Sequence, residues 1–314
     1  MNLDPETRKG YFISSEMKKL WAIQMELLNK LLEVCKKNNL NIWADGGTLL
    51  GAVREHGYIP WDDDIDMAML REDYDKLIAI SQQEFEAPYH FQSGYTEDKY
   101  PWGHAQLRKD GTTAILKGGE FVSYHQGIFI DIFVYDVIPN DEMELLSLKR
   151  SLSIMRSNLY KYCFERYLIL HPFISLKLFI FKLGIKKRGY GQYFMQFDNL
   201  LKGHKGDDVA CMGFIWDLVL FRRNKSLYKY TLFVPFEDIM MPIPSGYDTI
   251  LRTQYGNYLT PAKASSYHGG FAYLDTEKSF KDYLPVIRKR AKYEQFKYII
   301  GKLKGILRFG FSGC

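Results

Sequence analysis

From Trp61 to Met67 the chain reads WDDDIDM, placing four aspartates in five positions. Carboxylates this close repel one another, so solvent or a cation must offset the cost. On this run alone an acidic surface loop and a metal site are both open readings. Its alternation narrows what the segment can fold into. Asp62, Asp64 and Asp66 fall on one side of an extended chain, and Asp63, Ile65 and Met67 on the other. Residues two apart on a strand lie roughly 6–7 Å apart on the same side. Asp64 and Asp66 are therefore expected to ligate a hard divalent cation, Mg²⁺ or Mn²⁺, from a single strand.

A third carboxylate completes such a site. GIFIDIFVYDVIP, Gly127 to Pro139, carries the strongest strand signal in the chain. Ile128, Ile130, Ile132 and Val134 share one face, and Asp131 lies on the other between Phe129 and Phe133. An aspartate there costs several kcal/mol, or must neutralise, unless a cation answers it. Upstream, Gly46-Gly47-Thr48 opens a short helix for which Gly57 is the expected terminator. Free backbone N–H groups, a hydroxyl and the positive helix end converge there, as a phosphate seat requires. Glycine-led helix, DxD strand and isolated later Asp together make a phosphoryl-transfer constellation.

The rest of the chain is read around this constellation. Ser14 or Ser15 caps a helix with Leu20, Ile23, Leu27, Leu31 and Cys35 in helical spacing, ending at Asn38-Asn39. Apolar residues make up 46% and aromatics 16%, enough for a sizeable core and against disorder. A net charge of +5 gives no footprint for nucleic acid, which is not an expected partner. The four cysteines lie far apart, and the N-terminus shows no apolar signal core, so a reducing cytoplasmic setting is expected. We expect residues 1–140 to form a catalytic core, 141–205 a basic and apolar helical insertion, 206–284 the rest of the catalytic domain, and 285–314 a basic amphipathic helix. YLILHPFISLKLFIFKL, Tyr167 to Leu183, is broken by His171, Pro172 and Lys177 and is too interrupted to span a bilayer. In the last helix, Phe296, Ile299, Ile300, Leu303, Ile306 and Leu307 build one face. Lys297, Lys302, Lys304 and Arg308 flank it, as on a helix that either docks on the domain or lies against an anionic membrane, the second being the expectation taken here.

GTLLGAVREHGYIPWDDDIDMAM closely resembles the signature of the LicD family, which includes the fukutin-type enzymes. GIFIDIFVYDVIPN, MPIPSGYDTILRTQYGNYLTP and SSYHGG resemble its later blocks in the same order. The resemblance implies an α+β fold with a polymerase-beta-like nucleotidyltransferase core on a mixed sheet. It also implies transfer of a phospho-alcohol (phosphocholine, phosphoribitol or phosphoglycerol) from a CDP-activated donor to a glycan acceptor, including one carried on lipid. Capsule, teichoic acid and lipopolysaccharide precursors are acceptors of this kind. Asp64, Asp66 and Asp131 match the family's metal-binding carboxylates, and Asp62 resembles a substrate residue beside them. Arg108 falls in a block where the family also has a basic residue, and His268 matches a family histidine. Either Arg54 or Arg108 has the guanidinium to clamp a phosphate. Where the family usually reads DIFPLD this chain reads DIFVYD, so its strand is expected to run on before turning. Three rivals stand beside this reading: a nucleotidyltransferase that transfers the other half of the donor, a DxD glycosyltransferase, and a catalytically inactive glycan-binding module at a membrane surface.

Overall fold

The computed structural model describes residues 1–117, 119–120, 122–163, 189–213, 222–260 and 270–310. It is an α+β structure built on a mixed sheet. A small hairpin, β1 (Glu6–Arg8) with β2 (Tyr11–Ile13), leads into helix α1 (Ser15–Lys37). The Ser14 hydroxyl accepts the Met17 N–H at 3.2 Å and caps the helix. Asn38 closes it, followed by Asn39 in the left-handed region at φ 53°. Leu20, Leu27 and Leu31 of the expected stripe are fully buried in the main core.

The short β3 (Trp43–Ala44) precedes helix α2 (Gly46–Arg54). This helix stops before Gly57, because His56 takes the left-handed turn at φ 58°. Gly57 is needed for space instead: a Cβ there would meet Glu237 Oε1 at 2.3 Å. β4 (Asp66–Leu70), α3 (Arg71–Glu84), β5 (Tyr89–Gln92), β6 (Ala105–Lys109), β7 (Thr113–Leu116) and β8 (Phe129–Val137) follow. β8 is the spine of the sheet and is buried on both faces. It pairs in parallel with β4 along one edge. Along the other it pairs antiparallel, first with β6 and then, beyond Tyr135, with β9 (Asp208–Ala210). With VYD in place of a proline, the strand does continue to Val137.

Helices α4 (Glu142–Cys163) and α5 (Tyr190–Asn199) enclose a second apolar cluster around Leu148, Leu159 and Phe197. Residues 164–188, including the whole interrupted apolar run from 167 to 183, fall outside the described residues. β10 (Arg223–Asn224) pairs with β9, and β11 (Thr231–Phe236) with β12 (Ile239–Pro244). Helix α6 (Tyr247–Tyr255) ends at Gly256, φ 63°. β13 (Phe271–Asp275) pairs with β7. The last helix, α7 (Phe280–Gly310), begins earlier than expected and contains Pro285. Phe280 and Ile287 pack on Ile115 of β7, while Tyr293 and Phe296 are exposed. Side chains 302–310 lie outside the description, so the expected apolar face can be followed only at its start. Among the described residues, no helix is long and apolar enough to cross a membrane.

Candidate active site

The aspartate run is held from beneath by α1. Trp21 Nε1 donates to the Asp62 carbonyl at 2.9 Å, and Gln24 Nε2 to the Asp63 carbonyl at 2.8 Å. Tyr58 stacks on Trp21 with ring centroids 4.4 Å apart and donates to Gln24 Oε1 at 3.2 Å. These side chains replace a neighbouring strand, because β3 pairs with β4 only at Met67 and Ala68. The expectation that Asp64 and Asp66 share one strand is therefore corrected. Asp66 opens β4, and Asp64 stands on the extended segment before it. The alternation survives the correction: Asp63, Ile65 and Met67 are buried, and Asp62, Asp64 and Asp66 are half-buried.

Parallel pairing sets Asp66 directly beside Asp131. The same row continues across the sheet through Gln106 on β6 to Gln92 on β5. Asp131 Oδ1 accepts Gln106 Nε2–H at 2.7 Å and lies 3.0 Å from His104 Nε2. On the other side the start of α2 closes on the carboxylates. A Cβ on Gly46 would lie 2.9 Å from Asp66 Oδ2, and one on Gly47 2.7 Å from Asp62 Oδ2. Gly46 also adopts φ 50°. Glycine is what lets two carboxylates approach the positive end of the helix this closely. The Thr48 hydroxyl accepts the Asp66 N–H at 2.8 Å and ties that helix turn to the strand.

Burial pushes the Asp66 carboxyl far above the usual carboxylate range, and Asp64, Asp131, Asp45 and Asp62 push it further in the same direction. Asp62, Asp63 and Asp64 each bring one oxygen within 4.8 Å of the others. An all-carboxylate donor set, cradled by glycines at a helix N-terminus, fits a hard divalent cation such as Mg²⁺ or Mn²⁺.

The other expected residues divide. Arg54 ends α2, roughly 12 Å of helix rise from Gly46. It binds Glu55 at 2.6 Å and the Tyr258 carbonyl at 3.0 Å, so the structure does not bring it to the carboxylates. Arg108 is buried, stacks 4.5 Å over Phe129 and donates to Gln92, Gly127 and Gln106. It belongs to the site through Gln106 and not as a surface phosphate clamp. His268 lies outside the described residues; Phe271, three positions on, lines a small cavity with Asp63 and Asp64.

Sequence reasoning missed the network under α2. Asp45 precedes the glycine pair as the N-cap residue, yet its side chain does not cap the helix. Its oxygens take Arg223 Nη1 and the Tyr135 hydroxyl, each at 2.7 Å. Arg223 also donates to Tyr228 at 2.7 Å and Gln254 at 3.1 Å. Asp45, Asp66 and Asp62 all bear on Tyr255, whose phenol burial and these charges push upward. An aspartate immediately before GG was a visible signal. Arg223, 178 positions away from Asp45, left none.

A second cluster, His90, Asp110 and His125, also brings three ligand atoms within 4.8 Å. Hydrogen bonds account for it. His125 Nδ1 accepts the Gly127 N–H at 3.1 Å, which places its proton on Nε2, 2.9 Å from Asp110 Oδ1. His90 stacks on His125 and bonds Glu97 at 3.1 Å. A neutral His125 held this way has no lone pair to offer from Nε2.

Oxygen donors suited to a hard cation, grouped at a glycine-led helix, are an arrangement that phosphoryl transfer can use. Comparison with known proteins agrees. Residues 39–164 match the LicD/FKTN/FKRP nucleotidyltransferase domain. The chain is 26% identical over 257 residues to the lipopolysaccharide cholinephosphotransferase LicD of Haemophilus influenzae, covering 77% of this chain and 93% of that protein. Two uncharacterised rickettsial proteins match over shorter stretches. The one from Rickettsia prowazekii is 42% identical over 96 residues, 31% of this chain and 33% of its own. The one from Rickettsia typhi is 48% identical over 65 residues, 21% of this chain and 20% of its own. Residues 39–164 are thus similar to the LicD-family domain, the family that the motif resembles.

Proposed function

We propose that this protein transfers a phospho-alcohol, phosphocholine foremost, from a CDP-activated donor to a sugar hydroxyl of a cell-surface glycan precursor, releasing CMP. The observation that carries the reading is Asp66 set beside Asp131 on paired strands, with Asp62 and Asp66 over the first turn of α2. The cholinephosphotransferase activity for which the Haemophilus relative is named supports the choice of phosphocholine. We read the core as polymerase-beta-like, interrupted by residues 141–205 and resumed at 206–284.

Asp64, Asp66 and Asp131 would hold Mg²⁺ or Mn²⁺, whose charge would offset that of the donor pyrophosphate. The residues themselves bind and orient. The N-terminus of α2 and Thr48 face the donor phosphates. The acceptor oxygen bonds to the phosphorus bearing the alcohol as the bond from that phosphorus to the CMP oxygen breaks. The hydroxyl proton passes to a carboxylate of the cluster, with Asp131 or Asp62 within the site to take it.

The test is a panel of CDP-choline, CDP-ribitol and CDP-glycerol with Mg²⁺ and a candidate glycan. We expect CMP release and alcohol phosphate on the glycan with one donor, reversible loss in EDTA, and recovery with Mg²⁺ or Mn²⁺. Nucleotide on the glycan would instead establish the nucleotidyltransferase reading, and turnover that survives chelation would remove the metal.

Location follows from α7. Its described start docks on β7 through Phe280 and Ile287, while Tyr293 and Phe296 face outward. We read the remainder as lying on the cytoplasmic face of an anionic membrane, because its sequence supplies Lys297, Lys302, Lys304 and Arg308 as charge for anionic headgroups to attract. Deleting 293–314 should abolish co-sedimentation with phosphatidylserine vesicles and spare activity on a soluble acceptor. Vesicle binding that survives the deletion, or a full chain that ignores the vesicles at any ionic strength, contradicts this.

A further inference from the structure

The polar row that crosses the sheet has a direction. Arg108 is a donor only, with five N–H groups and no acceptor. Its Nη2 lies 2.6 Å from Gln106 Oε1, its Nε 2.6 Å from Gln92 Oε1, and its Nη1 2.7 Å from the Gly127 carbonyl. Gln106 must therefore turn its carbonyl to Arg108, which leaves its amide N–H₂ facing Asp131 Oδ1 at 2.7 Å. Gln92 is fixed in the same way, and its amide donates to Glu97 and to the His125 carbonyl at 3.1 Å. All these side chains but Glu97 are buried, so each satisfied donor and acceptor holds its neighbour in one orientation. His104 Nε2 meets the same Asp131 oxygen at 3.0 Å from a pocket that includes Phe133, whose ring lies 4.8 Å away.

We infer that Arg108, Gln106 and His104 are positioning residues. Arg108 sets the amide of Gln106, and Gln106 with His104 pins Asp131 Oδ1, so that the carboxylate is turned to serve the cation shared with Asp66. The inference rests on reading Asp64, Asp66 and Asp131 as cation ligands. It gives the guanidinium of Arg108 a task other than binding phosphate.

The experiment measures Mn²⁺ alone, by electron paramagnetic resonance titration of the full chain, with the denaturation midpoint recorded for each variant without cation. Wild type should bind Mn²⁺, and Asp131→Asn should lose it. Gln106→Met, close in shape but without donor or acceptor, should weaken Mn²⁺ binding roughly 10- to 100-fold. His104→Phe should weaken it comparably, and His104→Gln, which returns an amide donor, should recover most of the affinity. That recovery separates positioning from a general loss of packing. If Gln106→Met does not fold, the two His104 variants decide alone. Unchanged affinity in Gln106→Met and His104→Phe, with Asp131→Asn inactive in binding, overturns the inference and leaves the cation site standing. Absence of Mn²⁺ binding in wild type overturns both.

Discussion

Asp66 and Asp136 lie on paired strands, and burial pushes both carboxyls upward, but the protein answers them differently. Asp136 is fully buried and receives Arg71 in a two-point grip, Nε at 2.6 Å and Nη2 at 3.0 Å. Arg71 reaches on to Asp198 at 3.1 Å and Asp75 at 3.2 Å, and Lys202 meets Asp198 at 2.9 Å. Arg71 works against burial, and the Asp136 carboxyl rests at about 6. Around Asp66 every influential neighbour is another carboxylate. Among the described residues, no lysine or arginine pairs with it. The first arrangement is closed: its cations come from Arg71 of α3 and from Lys202 just beyond α5, and through Asp198 it fastens those helices to β8. The second gathers carboxylates around Asp66, as the proposed cation site requires.

Substitutions can break that contrast, and the largest effects belong here. Asp66→Asn should lower turnover about a thousandfold or more. The same change should leave the unfolding free energy without cation level or raise it by about 1 kcal/mol, since repulsion is relieved. Asp136→Asn should do the reverse. It costs about 3 kcal/mol by leaving Arg71 buried against a neutral partner, while folded protein keeps turnover within a few-fold. Chemical denaturation and CMP release on the same preparations check both. Equal destabilisation by the two variants would mean that Asp66 is simply another structural carboxylate.

The comparison also shows which parts of the molecule short-range pattern can carry. The aspartate run, the glycine pair and Asp131 were legible because alternation and an apolar strand are local signals. Their juxtaposition followed from parallel pairing of β4 with β8. The ladder's true start at Asp66 was not legible, because Trp21 and Gln24 of a distant helix hold the preceding residues. Arg223 on Asp45 and Arg71 on Asp136 join positions far apart in the chain, and a single charged residue gives no sign of its partner. Arg108 shows the same limit: its charge was evident, its burial was not. HAQLR does alternate His104, Gln106 and Arg108, and that spacing was the available clue to a polar row. At α2 the terminator was misplaced because the glycine at 57 answers the packing of Glu237, a contact with no local signature.

His125 illustrates a third answer to a buried ionisable group, which is to remain neutral. It is buried between His90 and Phe280, with rings 4.4 Å and 4.7 Å away. Burial, chiefly, lowers its pKa to about 3; His90, Arg108 and Lys281 act in the same direction, and Glu97 opposes. Asp110 and the Gly127 N–H are its hydrogen-bond partners. The sign follows from proton uptake. Below its ordinary value of 6.5 the unfolded histidine gains a proton that the folded one resists. Its contribution is therefore whole above pH 6.5 and is lost as pH falls toward 3. At pH 5 the loss amounts to about 2 kcal/mol. Unfolding free energies at pH 7 and pH 5 should differ by about that much in wild type, and by distinctly less in His125→Gln, whose amide does not titrate. This effect bears on stability alone, and it should be independent of Mg²⁺ because His125 lies outside the carboxylate cluster. A slope that Mg²⁺ removes would instead place the pH dependence in Asp66 and its neighbours, and a slope unchanged in His125→Gln would place it in some other group.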